Sequence, residues 1–234
     1  MSQKRNNTTV FSDLKVNNNK ANDNVTSNQL FHSVKDIETK FSFKFSSEYD
    51  NNIHDDIIAI FNNNYSGELV DATLLHVKGL YFDFVEKDYV LMKKYYFMAI
   101  ELHNSKSMFN LGLYYGEIEK DYVLMKKYYL MAIDLKRVTA MTNLGFYYED
   151  VEKDYVMKKK YYLMAVKLSD ADAMFSLGLH YGNVEKDYVL MKEYYMMAIE
   201  LKHAGAMLNL GLYYRNIEKD YDLMKKYYLM AIEL

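Results

Sequence analysis

A 33-residue period is the feature that most constrains how this chain of 234 residues can fold. The triplet Glu-Lys-Asp occurs five times in one unbroken register, beginning at Glu86, Glu119, Glu152, Glu185 and Glu218. A glycine recurs at the same spacing, at Gly79, Gly112, Gly145, Gly178 and Gly211. Repetition at this period is typical of arrays in which every repeat is one small supersecondary unit.

Each repeat has the pattern of two helices joined by a short charged turn. In the third repeat, Ala140, Leu144 and Tyr148 fall at i, i+4 and i+8, which places them on one apolar stripe of a first helix. The second helix carries an equivalent stripe. In the second repeat that stripe contains Met125, Tyr129 and Ala132.

An aspartate precedes every second helix and is predicted to cap it. Its carboxylate can accept the free N–H groups of the first turn and faces the positive end of the helix dipole. The five predicted N-caps are Asp88, Asp121, Asp154, Asp187 and Asp220.

The recurring glycine falls inside the apolar pattern of the first helix, where glycine costs about 1 kcal/mol relative to alanine. One explanation is close approach of a neighbouring helix that presents its own small residues, at Ala99, Ala132, Ala165, Ala198 and Ala231. The other explanation is that the glycine ends the first helix. The apolar pattern continues past Gly112 to Tyr115, which favours close approach.

No single repeat can bury its apolar face alone, so the repeats must stack side by side. The sequence therefore predicts an all-α fold, an α/α solenoid of antiparallel helix pairs with an extended concave wall. The predicted repeats occupy 74–106, 107–139, 140–172, 173–205 and 206–234.

The motif Ala-x-x-x-Leu-Gly-x-Tyr-Tyr, followed by Asp-Tyr and by Lys-Lys-Tyr-Tyr-Leu-Met-Ala-Ile, resembles the Sel1-like repeat proteins of the tetratricopeptide-like superfamily. In the third repeat the resemblance is carried by Ala140, Leu144, Gly145, Tyr148, Asp154, Tyr161, Tyr162 and Ala165. It implies a scaffold or adaptor with no shared catalytic residues. One departure is Lys158, where most repeats of this chain have methionine. We expect Lys158 to reach out of the stack or to mark a local weakness.

The segment before the repeats has a different composition. Residues 1–45 are polar and predicted to be mostly disordered, although the alternation at 40–47 is typical of a short strand. Residues 46–73 are predicted to form an N-terminal capping region, with a helix that begins near Asp55. A degenerate extra repeat is the alternative, but Ser66 occupies the position of the alanine column.

The sequence offers little for catalysis or for cofactors. It has no cysteine, which excludes disulfides, thiolate metal sites and cysteine nucleophiles. None of the six histidines pairs with another at helical spacing, and the cluster His54-Asp55-Asp56 is explained by its position at a helix start. Because phosphate-binding, dinucleotide and hydrolase motifs are also absent, we expect no enzyme, no metal and no cofactor.

A polar column on the first helices is the candidate partner-binding surface. It consists of residues at i and i+4 that lie on one face, rotated from the core stripe: Asn110 and Tyr114, Asn143 and Tyr147, Ser176 and His180, Asn209 and Tyr213. The resemblance places the first helices on the concave wall, where these side chains would bind a peptide or protein. The alternative is that the asparagines tie adjacent repeats together.

The second helices carry a ladder of paired lysines, such as Lys126 and Lys127, to which RNA could bind. Acidic residues are interleaved with these lysines and the net charge is −3, so we expect a solvated face that binds no nucleic acid. The last helix has no cap, so its face, with Tyr227, Met230 and Leu234, could promote end-to-end self-association. Without an apolar leader or span, we expect a soluble, cytoplasmic protein.

A structural or near-vestigial member of an amplified repeat family, with no dedicated partner, is the alternative function.

Overall fold

The computed structural model describes residues 30–41 and 54–234. Within those ranges all regular structure is helical and no strand occurs, so the predicted all-α class is confirmed. Residues 1–29 of the predicted disordered segment 1–45 and residues 42–47 of the predicted strand lie outside the described residues. The first two residues of that strand, Lys40 and Phe41, are helical, so the strand prediction is wrong there.

Ten helices form five antiparallel pairs, as the 33-residue period predicted. The first helices of the pairs are α3 (Ala72–Tyr81), α5 (Ser105–Tyr114), α7 (Val138–Tyr147), α9 (Ala171–His180) and α11 (Ala204–Tyr213). The second helices are α4 (Tyr89–Glu101), α6 (Tyr122–Asp134), α8 (Tyr155–Val166), α10 (Tyr188–Glu200) and α12 (Tyr221–Ile232). Two shorter helices precede them, α1 (Val34–Phe41) and α2 (His54–Phe61).

Each first helix ends in one widened turn of π-helix. In the third repeat this turn is Tyr148–Glu152. The next residue, Lys153, ends the turn in the left-handed conformation, at φ 56°, and its backbone N–H donates to the carbonyl oxygen of Tyr148. The equivalent lysines of the other four repeats share that conformation, whereas none of the nine glycines has a positive φ. A left-handed residue with a Cβ costs about 1–2 kcal/mol, so the tight turn carries strain in every repeat.

The aspartate after that turn caps the second helix, as predicted. In the third repeat, Asp154 Oδ1 accepts from the backbone N–H groups of Val156 and Met157, at 3.0 Å each. Asp88, Asp121, Asp187 and Asp220 make equivalent bonds. Two successive residues of the Glu-Lys-Asp triplet therefore have backbone roles: the lysine ends the π turn, and the aspartate starts the next helix.

The recurring glycine lies within the first helix and allows a close approach, but not to the alanine column. A Cβ at Gly145 would lie 2.5 Å from the ring of Tyr162, which is fully buried on the second helix of the same repeat. The other four glycines face the equivalent tyrosine in the same way. The expectation that alanines form this contact was wrong, because the ring atoms of this tyrosine occupy the space beside the glycine.

A second aromatic pair recurs on the other side of each repeat. The ring of Tyr148 stacks on the ring of Tyr161, with centroids 5.6 Å apart and planes 8° from parallel. The same stack joins Phe82 to Tyr95, Tyr115 to Tyr128, Tyr181 to Tyr194 and Tyr214 to Tyr227. Tyr148, which was predicted to lie on the core stripe, is half-buried and forms one half of such an aromatic pair.

The described chain divides into two compact units, with the division near the end of α6. In the first unit, α1 and α2 pack beside α3 through the rings of Phe31, Phe41, Phe61 and Tyr81. Asn62 fixes the start of this segment, because its amide both donates to and accepts from the backbone of Phe31. Helix α1 lies in the segment 1–45 that was predicted to be mostly disordered, and the burial of Ile37 stabilises it.

The second unit contains α7 to α12. Its core is built from the inner faces of successive helix pairs, and Met174, Met191, Tyr195 and Leu210 are among its buried residues. Helix α9 packs on both α8 and α10, and α11 packs on both α10 and α12, so in this unit these two first helices join their own partner to the second helix of the preceding repeat.

Candidate partner-binding surface

The eight predicted partner-binding residues lie on the first helices at two fixed positions. Asn110, Asn143, Ser176 and Asn209 lie four residues before the end of their helices. Tyr114, Tyr147, His180 and Tyr213 are the last residue of each helix, directly before the π turn. Tyr114, Ser176 and His180 are buried, and the other five are half-buried.

The last residue of each first helix bonds the glutamate of the Glu-Lys-Asp triplet. Tyr147 and Tyr213 donate their hydroxyls to Glu152 and Glu218, at 2.9 and 2.8 Å. Tyr114 makes the same bond to Glu119. His180 replaces the tyrosine in the fourth repeat, and its Nε2 lies 2.9 Å from Glu185 Oε1.

These glutamates also bind a lysine from the preceding repeat. Lys159 Nζ lies 2.8 Å from Glu185, and the same distance separates Lys93 from Glu119 and Lys192 from Glu218. The hydrogen bond from Lys159 is the main cause of a lowered pKa at Glu185. One column of the lysine ladder therefore joins neighbouring repeats, a role the sequence interpretation missed. The recurring spacing of 26 residues between lysine and glutamate was the signal that could have found it.

The asparagine column is divided between two arrangements. In the first unit, Asn110 Nδ2 donates to the hydroxyl of Tyr96 in the preceding repeat, at 3.3 Å. In the second unit, Asn143 and Asn209 donate instead to backbone oxygens of their own helices, at Thr139 and Gly205, both at 2.8 Å. Asn110 therefore ties repeats together, whereas the other two asparagines hold their amides against their own helices.

His180 is the residue whose environment departs most from its column. It is 3% exposed, and its Nδ1 has no hydrogen-bond partner within the described structure. Burial lowers its pKa, and the nearby ammonium groups of Lys158 and Lys159 act in the same direction, although the bond to Glu185 opposes them. The imidazole is therefore neutral near pH 7, and protonation would place a further cation beside two lysines.

Lys158 does not reach out of the stack, contrary to the first of the two expectations. Its side chain is 1% exposed, and Nζ lies 2.7 Å from Glu149 Oε1. The ammonium also lies over the rings of Tyr155 and Tyr162, at 5.8 and 5.7 Å. Glu149 occupies the position held by Gly116 and Gly182 in two other repeats. A Cβ at either glycine would meet the sulfur of Met125 or Met191, the methionines that stand at the position of Lys158. The third repeat has thus exchanged a glycine–methionine contact for a buried ion pair.

The residues named for end-to-end association differ in their exposure. Tyr227 is 6% exposed because its ring stacks on Tyr214, and its hydroxyl lies 3.4 Å from the sulfur of Met196. Leu234 is exposed and Met230 is half-buried. Tyr227 therefore belongs to the core, because its aromatic partner is in its own repeat.

Within residues 30–41 and 54–234, no three His, Cys, Asp or Glu side chains are grouped as metal ligands would be. None of the described helices combines the length and the apolar character that crossing a membrane requires.

Comparisons with known proteins agree with this geometry. No family model and no curated protein matches the sequence. Among solved structures, a Sel1 repeat protein from Oxalobacter formigenes is 27% identical, with a TM-score of 0.61, over 70% of this chain and 74% of that one.

Two more distant structures show likeness in the fold alone. A protective antigen present in uropathogenic Escherichia coli strains, which displays an SLR fold, is 18% identical, with a TM-score of 0.63, over 76% of this chain and 41% of its own. An immunity protein from Pseudomonas aeruginosa is 22% identical, with a TM-score of 0.50, over 69% and 68% of the two chains.

Proposed function

Because this chain is a Sel1-like repeat protein, we propose that it is a non-catalytic adaptor that binds an extended segment of a partner protein along its first helices. Proteins of this fold generally mediate interactions between proteins and generally have no catalytic activity. The proposed contacts are Asn143, Ser176 and Asn209, with Tyr147 and Tyr213 beside them. Ser176 is the most buried of these, so its part is to shape the surface.

The orientation of Asn143 and Asn209 carries the proposal. Each amide nitrogen is held by a backbone oxygen of its own helix, so the side chain is fixed before any partner arrives. The remaining atom, Oδ1, has no hydrogen-bond partner among the described residues and is an acceptor with two lone pairs. An extended peptide has backbone N–H groups that such fixed acceptors can bind without a further loss of side-chain entropy.

The spacing of these acceptors sets the length of the partner segment. Asn143 and Asn209 are two repeats apart, and packed helices lie about 8–10 Å from each other, so the acceptors are separated by roughly 16–20 Å. An extended strand rises about 3.3 Å per residue, so a segment of about six residues spans both acceptors. Tyr147 and Tyr213 add rigid amphipathic contacts at the helix ends.

The lysine ladder supports a protein partner over a nucleic acid. In three of the repeats the first lysine of the ladder is already paired with a glutamate at 2.8 Å, which removes much of its attraction for phosphate. Binding to RNA would depend steeply on salt. A filter assay that retains RNA at low salt and releases it at high salt would contradict the proposed preference for protein.

The test is a selection of displayed extended peptides, followed by affinity measurement with the double substitution Asn143→Ala and Asn209→Ala. Two lost hydrogen bonds at about 1 kcal/mol each predict binding about thirtyfold weaker. Asn110→Ala is the matched control, since its amide is used by Tyr96, and it is expected to leave that affinity unchanged. Unchanged affinity in the double variant, with its helical signal intact, would refute the assignment of the site. A wild-type chain that selects no peptide would refute the adaptor proposal itself.

A further inference from the structure

The outer face of the second helices has a regular composition that is broken in two successive repeats. Four residues at i, i+4, i+7 and i+11 of each second helix form one stripe, which has the order apolar, charged, apolar, charged in the first four repeats, whereas the fifth begins with Asp222. The first charged position is lysine in four of the repeats and Glu193 in the fourth. The second charged position is acidic in four of the repeats and Lys167 in the third.

These two exceptions give neighbouring helices opposite charge. The stripe of α8 carries Lys160 and Lys167, and the stripe of α10 carries Glu193 and Glu200. All four side chains are exposed, and none of them forms an ion pair within the described structure. Their charge is therefore available to another molecule.

Apolar residues alternate with these charges and are exposed to an unusual degree. Val156 on α8 is 76% exposed and Val189 on α10 is 74% exposed. Leu163 and Met196, one turn beyond the first charge of each stripe, are 37% and 41% exposed. The two stripes together form one patch, named here the outer patch. Its apolar and charged residues occupy equivalent positions along the axes of α8 and α10, that is, the same heights.

We propose that the outer patch is the interface of a homodimer, and that its occupant is the same patch of a second copy of this chain. A twofold axis between α8 and α10, parallel to both helices, lays α8 of one copy against α10 of the other. A twofold interface must be self-complementary, so every contact that it makes is made twice.

This symmetry fixes which side chains meet. Rotation about an axis parallel to the helices keeps each residue at its own height, so each residue of the α8 stripe faces its equivalent in the α10 stripe of the second copy. Lys160 then faces Glu193 and Lys167 faces Glu200, each twice, which gives four ion pairs. Between them, Val156 packs on Val189 and Leu163 packs on Met196.

The other arrangements of the same surface are electrostatically unfavourable. An axis across the helices would lay α8 antiparallel against α8 of the second copy, which places four lysines and no acidic residue of the stripe in one contact, and like charges in one interface oppose association. The second helices of the first unit do not offer this pattern, since Lys94 and Glu101 place both signs on α4. The charge pattern therefore selects one partner helix and one orientation.

Sedimentation velocity over a range of concentrations, at low and at high salt, provides the test. We expect the wild-type chain to form a concentration-dependent dimer whose Kd rises at least about tenfold between low and high salt, because exposed pairs are screened. Two variants are monomeric under the same conditions: Lys160→Glu with Lys167→Glu, and Glu193→Lys with Glu200→Lys. Each has one sign of charge on both stripes.

Mixing the two variants is the decisive measurement. An all-acidic patch and an all-basic patch are complementary at both contacts, so the equimolar mixture recovers a 1:1 dimer. The matched control is Lys94→Glu with Lys127→Glu, which makes the same change in net charge at equivalent positions of other repeats and is expected to dimerise as the wild type does. Far-UV circular dichroism identifies any variant that fails to fold. If Lys160→Glu with Lys167→Glu fails to fold, Lys160→Gln with Lys167→Gln takes its place and is expected to weaken the dimer.

Three results would overturn the proposal. The first is a wild-type chain that stays monomeric at every concentration in low salt, which would leave this face to solvent or to a different protein. The second is a dimer that both charge variants form with wild-type affinity, which would place the contact elsewhere, for example at the final helix. The third is a mixture of the two variants that remains monomeric.

Discussion

Replacing the buried ion pair of the third repeat should show an asymmetry between its two members. Lys158 is almost wholly buried, whereas the side chain of Glu149 is 25% exposed. Glu149→Gly removes the carboxylate and leaves the ammonium in the interior, and breaking a buried pair from one side typically costs about 3–5 kcal/mol. The rings of Tyr155 and Tyr162 offset part of this cost through cation–π contact, about 0.5–2 kcal/mol. We therefore expect a net loss of about 3 kcal/mol.

Lys158→Met should cost less, because the carboxylate that it leaves behind can turn to water. Exposed or half-exposed ion pairs contribute about 0–1 kcal/mol, and methionine is the residue that the equivalent position holds in other repeats. The combination Glu149→Gly with Lys158→Met recreates the contact between Gly116 and Met125, where the sulfur fills the space beside the glycine. The free energy of unfolding of this double variant should be within about 1 kcal/mol of the wild-type value or higher than it, since apolar replacements of buried pairs are often neutral or stabilising.

Urea unfolding of all four proteins, monitored by far-UV circular dichroism, gives the double-mutant cycle. The expected coupling between the two positions is about 2 kcal/mol or more. Glu149→Gln is the control, since it keeps the size of the side chain and one hydrogen-bond acceptor but not the charge, and it should fall between wild type and Glu149→Gly. The reasoning is refuted if Glu149→Gly costs no more than Lys158→Met, or if the double variant is as unstable as Glu149→Gly.

Three further perturbations test other parts of the structure. Gly112→Ala should lower the free energy of unfolding in urea by about 1–3 kcal/mol, because its Cβ would lie 2.6 Å from the rigid, buried ring of Tyr129. The control Gly116→Ala meets only the flexible side chain of a methionine and should lower it less. Equal losses in the two variants would contradict the explanation. Lys153→Gly should raise the thermal midpoint through a gain of about 1 kcal/mol, since glycine adopts φ 56° without strain, whereas Lys153→Ala should not. His180→Tyr should make stability less sensitive to acid. The pKa of the imidazole is lowered in the folded chain, so the unfolded chain binds the proton first and the wild type loses stability as pH falls below the ordinary imidazole pKa of about 6.5. Equal slopes of stability against pH in the two proteins would contradict this.

The helical pairs and their caps could be predicted from the sequence because they depend on interactions between residues close in the chain. Asp154 caps α8 through N–H groups two and three residues away, and the apolar stripe of α7 follows from the geometry of a single helix. Repetition at a fixed period then determined that the pairs stack, since the same apolar face recurs in every repeat.

The segment before the repeats was predicted less well. Helix α1 has only eight residues, too few for a helix to be stable by its own propensity. Its stability comes from contacts with distant residues, such as the ring of Phe61, which lies 5.8 Å from the ring of Phe41 at the end of α1. A local pattern contains no record of such contacts, so the sequence there was interpreted from its polar composition and from the alternation at 40–47.

The candidate site shows the same division. The sequence by itself determined which residues share a face of the first helices, because spacings of three and four residues fix that face. Only the tertiary structure decided what each side chain contacts: Asn110 bonds a tyrosine of the preceding repeat, whereas Asn143 bonds its own helix. Likewise, Lys158 is buried because a carboxylate replaces a glycine nine residues earlier, and a charged residue is stable in a core only when its partner is there to meet it.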